Sequence, residues 1–327
     1  MSRTVLVAGG AGFIGSHVCK ALAEAGDRPV VIDTLEKGHA WAVKWGPLER
    51  TDIGDATTIA EIFRRHRPRA VVHLAGYIEV GESVRKPELY FHNNATKSQT
   101  LIDAACDAGV EAFVFSSSCS VYGVPRTPLL DETHPFAPIS PYAESKARVE
   151  GMLERAARER GLAALSMRYF NAAGGDETAE IGEAHVPETH LLPLAVDAAL
   201  GLTAPLTLMG TDYDTPDGSC VRDFIHVSDL AAAHVSAIAH LATRGSAGHA
   251  GLNLGSGSGY SVRQALVETG RVVGKPVPFS EAPRRPGDPP RLVGDSARAR
   301  ALLGWRPTRD LAKQIEDTLR WRLKMPR

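Results

Sequence analysis

Tyr142 and Lys146 are the two residues of this chain whose types and spacing most directly suggest a reaction. Side chains four positions apart lie on the same face of a helix. An unperturbed phenol loses its proton near pH ~10, so it is a poor base at neutral pH unless a nearby cation favours the phenolate. The pair therefore predicts a proton acceptor for a hydroxyl group, with Lys146 lowering the pKa of Tyr142.

The residues before this pair predict the helix that must position it. Ser140 is a suitable N-cap and Pro141 suits the first helical turn, which predicts a helix over residues 141 to 160. The spacing alone is weak evidence, because an exposed tyrosine over a lysine stem is common on amphipathic helices. The choice between the two interpretations depends on the rest of the chain.

The elements on either side of this helix alternate between buried strands and amphipathic helices. Such alternation predicts an α/β fold, a Rossmann-type doubly wound parallel sheet. The predicted strands are residues 4–8, 29–33, 70–74, 112–117 and 163–169, and the predicted helices are residues 13–26, 55–66, one ending near 109, and 141–160.

A glycine-rich turn stands between the first strand and the first helix, at Gly9, Gly12 and Gly15, with Phe13 and Ile14 opening the helix. Glycines let the backbone approach a pyrophosphate, which the free N–H groups of the helix N-terminus attract. The turn therefore predicts a dinucleotide site.

Three further residues, which come later in the sequence than the turn, extend this predicted dinucleotide site. Asp33 ends the second strand, where a carboxylate binds the adenosine ribose and repels a 2'-phosphate, so NAD is favoured over NADP. Asp52, followed by Ile53, either bonds the adenine edge or is a solvated turn residue, and the sequence leaves both open.

The length of 327 residues predicts two lobes, because a single core seldom grows that large. We place an NAD-binding Rossmann domain at residues 1–170 and a smaller α/β substrate lobe at residues 171–327. A segment near residues 221–242 reads as a strand and capped helix that returns to the first lobe.

Composition excludes several classes of partner. Hydrophobic residues make up 43% of the chain, charged residues 23%, and the formal net charge is -1, which gives no electrostatic footprint for nucleic acid or an anionic membrane. The first residues leave no room for a signal peptide, and no apolar stretch reaches the ~20 residues of a membrane span. With four cysteines that lack C-x-x-C spacing, we expect a cytoplasmic protein with free thiols and a small ligand.

The segment His185-Val-Pro-Glu188-Thr-His190 carries residue types that bind metals. Pro187 argues against the regular helix that would aim those side chains together. We therefore predict no metal site.

Several short segments together resemble one enzyme family. Besides the glycine turn, Ser116-Ser-Ser118 and the Tyr142/Lys146 pair, they are Gly81-Glu-Ser-Val, Arg168-Tyr-Phe-Asn171, Thr211 to Gly218, Val221-Arg-Asp-Phe-Ile-His-Val227, Asn253-Leu-Gly255 and Arg284-Arg-Pro-Gly-Asp288. In this order they resemble the extended short-chain dehydrogenase/reductase superfamily and, over nearly the whole chain, its UDP-glucose 4-epimerase family. The resemblance implies tightly held NAD, a UDP-sugar substrate and a homodimer.

The resemblance also implies roles for individual residues. Tyr142 would be the base, Lys146 would hold the nicotinamide ribose, and Ser118 would bond the reacting hydroxyl. Further cofactor contacts would come from Leu74, Ala75, Gly76, Asn93 and Phe170. The UDP-sugar would be bound by Asn171, Leu191, Arg222, Arg285, Asp288 and Leu292, as well as by Ser118 and Tyr142. Two arginines suit a pyrophosphate, because each offers forked and permanently charged donors.

The implied reaction is 4-epimerisation through a 4-keto sugar, with UDP-glucose and UDP-galactose as the expected pair. UDP-pentoses, UDP-uronates and UDP-N-acetylhexosamines stay open as substrates, and a non-catalytic NAD sensor is the alternative from another class. Elimination is disfavoured, because similar dehydratases carry Asp-Glu where this chain has Cys119 and Ser120. Two positions depart from the family: Ile78 replaces a lysine that often contacts the cofactor, and Leu292 replaces the tyrosine that excludes N-acetylated sugars.

Overall fold

The computed structural model describes residues 3–244, 247–285 and 288–325. Its first part repeats the strand and helix alternation that the sequence predicts. The elements are β1 (Thr4–Ala8), α1 (Phe13–Glu24), β2 (Arg28–Ile32), β3 (Leu48–Glu49), α2 (Ala56–His66), β4 (Ala70–His73), α3 (Val80–Arg85), α4 (Pro87–Tyr90), a π-helical turn (Phe91–Thr96), α5 (Lys97–Asp107), β5 (Ala112–Ser118), α6 (Pro141–Arg160) and β6 (Ala163–Tyr169).

The later part has shorter strands and a different rhythm. Its elements are β7 (Asn171–Ala173), α7 (Leu191–Leu200), β8 (Leu206–Met209), β9 (Val221–Arg222), β10 (Phe224–His226), α8 (Val227–Arg244), β11 (Gly248–Leu254), β12 (Tyr260–Ser261), α9 (Val262–Val273), β13 (Phe279–Ala282), β14 (Arg291–Leu292), α10 (Ala297–Leu303) and α11 (Leu311–Lys324).

Within the described residues, the central sheet has seven parallel strands in the order β11-β6-β5-β4-β1-β2-β3. Strands β2 and β3 extend the sheet outward on one side of β1. The chain then crosses back, and β4 pairs with the other side of β1. The strand order therefore reverses between β1 and β4, where a crevice opens at the carboxyl ends of the strands. The predicted Rossmann-type doubly wound fold is confirmed.

Both faces of the sheet are buried, which explains why its strands read as continuous apolar runs. Along β1, Val5 and Val7 contribute to one core, with apolar residues of α1 and α8, while Leu6 and Ala8 contribute to the other, with residues of α2, α5 and α6. This alternation is the two-residue period of a strand. The sheet is therefore a rigid platform for the loops at its edge.

Two segments from beyond residue 170 take part in this platform. Helix α8 packs on α1, and β11 pairs with β6 from Gly248↔Ala163 to Leu254↔Tyr169. The predicted boundary places the residues of β11 in the second lobe, although they form an edge strand of the first sheet. The division at residue 170 itself stays a prediction.

The remaining elements form a smaller region beside the platform. Helices α7, α9 and α11 share an apolar cluster that includes Leu192, Ala265 and Ile315. As far as the chain is described, β12, β9 and β14 form a short three-stranded sheet, and β13 pairs with β8. Among the described residues, none of the helices is both long and apolar enough to cross a bilayer.

Candidate active site

A cavity of about 630 Å³ opens at the reversal of strand order. It lies between the carboxyl ends of the central strands and the first turn of α7. Most of the predicted site residues line it: Gly9, Gly12, Phe13, Ile14, Gly15, Asp33, Asp52, Ile53, Leu74, Ala75, Gly76, Asn93, Ser118, Tyr142, Lys146, Phe170, Asn171 and Leu191.

The glycine turn brings the backbone to the cavity wall. Gly9 has φ +81°, and a Cβ there would stand 2.6 Å from the Ala75 nitrogen. A Cβ on Gly15 would stand 2.1 Å from the Gly9 carbonyl oxygen. Both positions therefore need glycine for space, and Gly9 needs it for its backbone conformation as well.

Helix α1 begins at this turn with Gly12 as its N-cap, and no side chain of the described residues caps it. Its first N–H groups and its partial positive charge are therefore available to an anion. The pyrophosphate of a dinucleotide suits this position.

Asp33 is fixed at the end of β2 by two backbone donors. Its carboxylate accepts hydrogen bonds from the Ala11 nitrogen at 3.1 Å and from the Leu35 nitrogen at 2.9 Å. Burial raises the pKa of Asp33, and these two hydrogen bonds oppose that shift. The carboxylate is thus held beside the glycine turn, where ribose hydroxyls would meet it.

Asp52 has a partner, Lys97, that no local sequence pattern predicts. Its carboxylate accepts from Lys97 Nζ at 2.5 Å, and Lys97 Nζ also donates to Asn93 Oδ1 at 3.2 Å. Asn93 lies in the π-helical turn before α5, a deviation that is frequent at functional sites. Asp52 is therefore part of a polar group that includes Asn93, and its contact with the adenine edge stays a prediction.

Helix α6 presents Tyr142 and Lys146 as its spacing predicts. Ser140 caps the helix by accepting from the Ala143 nitrogen at 3.2 Å. Lys146 is buried, its Nζ donates to the Ser116 carbonyl oxygen at 2.8 Å, and the same atom lies 5.8 Å from the centre of the Tyr142 ring. Ser116 and Ser118 belong to β5. Strand β5 and helix α6 therefore hold the side chains of Ser118, Tyr142 and Lys146 at one wall of the cavity.

The electrostatics of this pair correct one expectation. Burial raises the pKa of Tyr142 to about 12, and the hydrogen bond with Ser118 only opposes that shift. Burial also lowers the pKa of Lys146 to about 8. In the chain alone the pKa of Tyr142 is therefore raised, where the Tyr142/Lys146 pair predicts a lowered one, because burial of the phenolate is the largest influence.

Four of the predicted substrate-binding residues are not among those lining the cavity. Arg222 lies on β9, where its guanidinium donates to the Pro289 carbonyl oxygen at 2.9 Å and stands 3.5 Å from the Asp288 carboxylate. Leu292 pairs with Arg222 across the short sheet, and Leu292 and Phe170 both pack against the apolar cluster that contains Cys119. Phe170 lines the cavity, so Leu292 adjoins the cavity through that cluster.

Arg285 is exposed, and no role follows from its position in the structure. Pro286 and Gly287 of the same predicted segment lie outside the described residues. Asn171, in contrast, is held at the cavity, since its side-chain Nδ2 donates to the Asp223 carbonyl oxygen at 2.9 Å.

Sequence reasoning missed the contribution of the loop before α7. His185, Pro187, Thr189 and His190 line the cavity, and Glu183, His185, Glu188 and His190 each offer one ligand atom within 4.8 Å of the others. Pro187 does prevent a helix, but an extended chain places residues i and i+2 on one side. The sequence carries the signal for this group as two Glu-x-His steps, Glu183 to His185 and Glu188 to His190. Pro187 does not keep the four side chains apart, so the expectation based on that residue was wrong.

Ile78 also lines the cavity and is 41% exposed. An apolar side chain offers no hydrogen bond or charge to a cofactor. The hydroxyl of the neighbouring Tyr77 donates to Glu36 Oε1 at 2.9 Å and is thus already engaged within the protein.

The donor set of the cavity fits NAD. It combines an uncapped helix N-terminus for the pyrophosphate, the Asp33 carboxylate for the adenosine ribose, and a buried ammonium on Lys146 for the second ribose. A carboxylate at Asp33 would repel the additional phosphate of NADP.

Comparisons with known proteins agree with this assignment. The model of the NAD dependent epimerase/dehydratase family matches residues 5–254. The UDP-glucose 4-epimerase of Rhizobium meliloti is 48% identical over 320 residues, which are 98% of this chain and 97% of that protein. The chain therefore belongs to the NAD dependent epimerase/dehydratase family.

Solved structures give the same result for the fold. A UDP-glucose 4-epimerase from Brucella ovis in complex with NAD has a TM-score of 0.94 and 44% identity, covering 97% of this chain and 98% of that one. A UDP-glucose 4-epimerase from Stenotrophomonas maltophila with bound NAD and formylated UDP-arabinopyranose has a TM-score of 0.95 and 37% identity, covering 99% and 98%. The chain is similar to these proteins over nearly its whole length.

Proposed function

We propose that this chain catalyses the NAD-dependent 4-epimerisation of a UDP-sugar and interconverts UDP-glucose and UDP-galactose. The observation that carries the proposal is that Tyr142, Lys146 and Ser118 line the same cavity as the glycine turn and Asp33. A proton acceptor therefore lies within one enclosure with a dinucleotide site. The similarity to UDP-glucose 4-epimerases over the full chain supplies the substrate class.

In this function the chain's own groups manage the proton of the sugar 4-hydroxyl. Ser118 bonds that hydroxyl, and Tyr142 accepts its proton and later returns it. NAD, held by the glycine turn, Asp33 and Lys146, would supply the reversible hydride acceptance at C4 that the 4-keto route needs, and its positive charge would favour the Tyr142 phenolate. Lys146 holds the nicotinamide ribose with donors beyond the one that Ser116 uses.

Inversion requires that the sugar turn over while the nucleotide stays bound. Arg222, Arg285 and Asp288 are the proposed grip on the UDP part. Arg222 supports this role best, because its side chain is largely buried and its guanidinium stands 3.5 Å from the Asp288 carboxylate. Asn171 and Leu191, which line the cavity, are proposed to position the sugar and the nucleotide.

The choice of sugar remains open beyond UDP-glucose and UDP-galactose. Leu292 packs against the cluster that contains Phe170, so its size sets the space next to the proposed sugar position. Leucine is smaller than tyrosine and leaves N-acetylated sugars as candidates. One similar protein was solved with a modified UDP-pentose, which keeps pentoses as candidates too.

We also propose that the chain forms a homodimer. Large apolar side chains are exposed along residues 78–89, with Val84 63% exposed, and association would cover them. Light scattering at micromolar concentration should give twice the chain mass of 35.0 kDa. A monomer mass would reject the dimer without affecting the proposed reaction.

A cytoplasmic location is proposed from the cysteines. Cys19, Cys106, Cys119 and Cys220 all lie in described parts of the chain and are free thiols, as expected in a reducing compartment.

The experiment that tests the proposed function is proton NMR of the purified protein with UDP-galactose and no added NAD. Conversion to a mixture with UDP-glucose, followed at the anomeric signals, is the expected result. The Tyr142→Phe variant is the control for contaminating epimerase. An unchanged spectrum from protein that releases NAD on denaturation would overturn the assigned sugar, and absence of NAD would favour a sensor that does not catalyse.

A further inference from the structure

The loop before α7 carries a group of four side chains that the proposed reaction does not use. Glu183, His185, Glu188 and His190 bring two carboxylates and two imidazoles to one point, with one ligand atom of each within 4.8 Å of the others. From this group we propose that the chain binds one divalent transition-metal ion, Zn²⁺ by preference, at Glu183, His185, Glu188 and His190.

The side chains of this group point toward one another. His185 Nδ1 lies 2.9 Å from Glu183 Oε1 and 3.7 Å from Glu188 Oε1, and His190 Nδ1 also contacts Glu183 Oε1. Both imidazoles therefore turn the same nitrogen to the same carboxylate. Ordinary surface ion pairs seldom gather four such groups at a single point.

The two glutamate side chains of the group are almost fully buried, and each has a carboxylate oxygen without a hydrogen-bond partner among the described residues. The side chains of Glu183 and Glu188 are only 2% and 9% exposed. Among the described residues, Glu183 Oε2 and Glu188 Oε2 find no hydrogen-bond partner, and His185 Nδ1, although 2.9 Å from Glu183 Oε1, does not meet that oxygen in hydrogen-bond geometry. Buried polar atoms in folded proteins nearly always have a partner, and a cation at the centre of the group would supply one to all three.

The chemistry of the donors selects the kind of metal. Two imidazoles with two carboxylates suit Zn²⁺ and its neighbours, whereas Ca²⁺ and Mg²⁺ prefer oxygen ligands throughout. Two carboxylates also balance the charge of a divalent ion while both imidazoles are neutral. A tetrahedral ion at about 2.0–2.1 Å from each ligand needs ligand separations of about 3.4 Å. The most distant ligand atoms, up to 4.8 Å apart, would have to close by about 1.4 Å, whereas His185 Nδ1, now 2.9 Å from Glu183 Oε1, would have to move away by about half an ångström.

The position of the group indicates what the ion would do. Four protein ligands leave no open position for a substrate, which is typical of a structural site. The ring of His185 meets Phe13 of the glycine turn edge-on at 6.5 Å, and His190 directly precedes Leu191, the first residue of α7. The ion would therefore fix the loop that joins the dinucleotide wall of the cavity to α7.

The test uses the full chain without a histidine tag. Protein made in zinc-supplemented medium is dialysed against metal-free buffer and analysed for metal by mass spectrometry. About one zinc per chain is expected in the wild type, and less than about a fifth of that in His185→Ala and Glu188→Gln. The matched control is His66→Ala, because His66 also pairs with a glutamate, Glu49, but belongs to no such cluster.

A second measurement does not depend on how the variants fold. Chelator-treated wild type is titrated with Co²⁺, and a four-coordinate site should give intense visible absorption that zinc then abolishes. Zinc should also raise the melting temperature, by roughly 3–6 °C at a concentration about a hundred times its Kd. Wild type that holds no more zinc than His185→Ala, or that gives only the weak colour of hydrated Co²⁺, would overturn the proposal.

Discussion

The two sides of the cavity are built in different ways. On the dinucleotide side, four of the predicted polar groups stand at the ends of elements of the packed sheet: Asp33 after the five-residue β2, Ser118 at the end of the seven-residue β5, and Tyr142 with Lys146 in the first turns of the twenty-residue α6. On the proposed nucleotide-sugar side, Arg222 and Leu292 stand on two-residue strands. The first side is thus anchored in two large cores, whereas the second depends on a few short pairings.

This difference suggests a division of labour. Proton transfer needs donor and acceptor atoms held to a fraction of an ångström, which strands and helices of a packed sheet provide. A UDP-sugar whose sugar ring turns over within the site needs contacts that keep the nucleotide bound while they release the sugar. We therefore expect substitutions on the first side to change kcat and substitutions on the second side to change KM.

The largest effect should come from Tyr142→Phe. Loss of the phenolic oxygen removes the proton acceptor, so kcat should fall roughly 100- to 10,000-fold while NAD content and UDP affinity stay the same. Turnover by NMR, NAD release on denaturation and UDP titration measure these three quantities. Tyr77→Phe is the matched control, because Tyr77 lines the same cavity and only bonds Glu36; a similar loss of kcat in the control would remove the special role of Tyr142.

Arg222→Met should have the next largest effect, and on KM. A charge-assisted contact contributes about 1.5–3 kcal/mol, so KM for the UDP-sugar should rise roughly 10- to 100-fold with a much smaller change in kcat. Arg284→Met is the control, since Arg284 is exposed and already pairs with Asp212. If Arg222→Met lowered kcat and left KM unchanged, the proposed division between the two sides would be wrong.

Gly15→Ala should reduce the NAD content of purified protein by about tenfold. The new methyl group would stand 2.1 Å from the Gly9 carbonyl oxygen, so the turn would have to move away from its present path. Gly151→Ala is the control, because that glycine has open space in the middle of α6 and alanine should stabilise the helix by about 0.5–1 kcal/mol. Undiminished NAD in Gly15→Ala would show that the turn does not hold the cofactor.

The smallest effect concerns stability and its dependence on pH. Lys146 has a pKa of about 8 when folded against an ordinary value of 10.5, so the folded chain holds this proton less tightly than the unfolded chain. The buried charge therefore lowers stability fully below pH 8, and the penalty disappears as pH rises from about 8 to 10.5. Lys146→Met should be more stable than wild type by about 1–2 kcal/mol at pH 7 and lose that advantage near pH 10.

Denaturant unfolding of both proteins at the two pH values measures this difference. Since other groups titrate equally in both proteins, the comparison isolates Lys146. A constant gap across this pH range would contradict the lowered pKa, even if the variant were inactive.

The sequence predicted the first side well because its signals are local. The boundaries of α6 agree with the expected 141–160, and strand β6 agrees with 163–169, since caps, glycines and apolar runs mark those ends directly. The placement of Asp33 beside the turn follows from strand order alone.

The rest depends on contacts between distant segments. The short sheet joins residues 221–222, 260–261 and 291–292, and the pairing of Asp52 with Lys97 spans 45 positions. No local sequence pattern specifies these contacts between distant segments. The raised pKa of Tyr142 was missed for a related reason, because desolvation depends on everything that surrounds the phenol and not on the one lysine nearby.

The path of the chain through α8 and β11 has a consequence for the molecule as a whole. A protein cut after residue 170 would lose the edge strand beside β6 and the helix that covers α1, and it would expose Val18, Leu22 and Met167 to water. We expect neither fragment to fold alone, and the two lobes to melt in a single transition. The proposed sugar position therefore lies between parts that we expect to unfold as one cooperative unit.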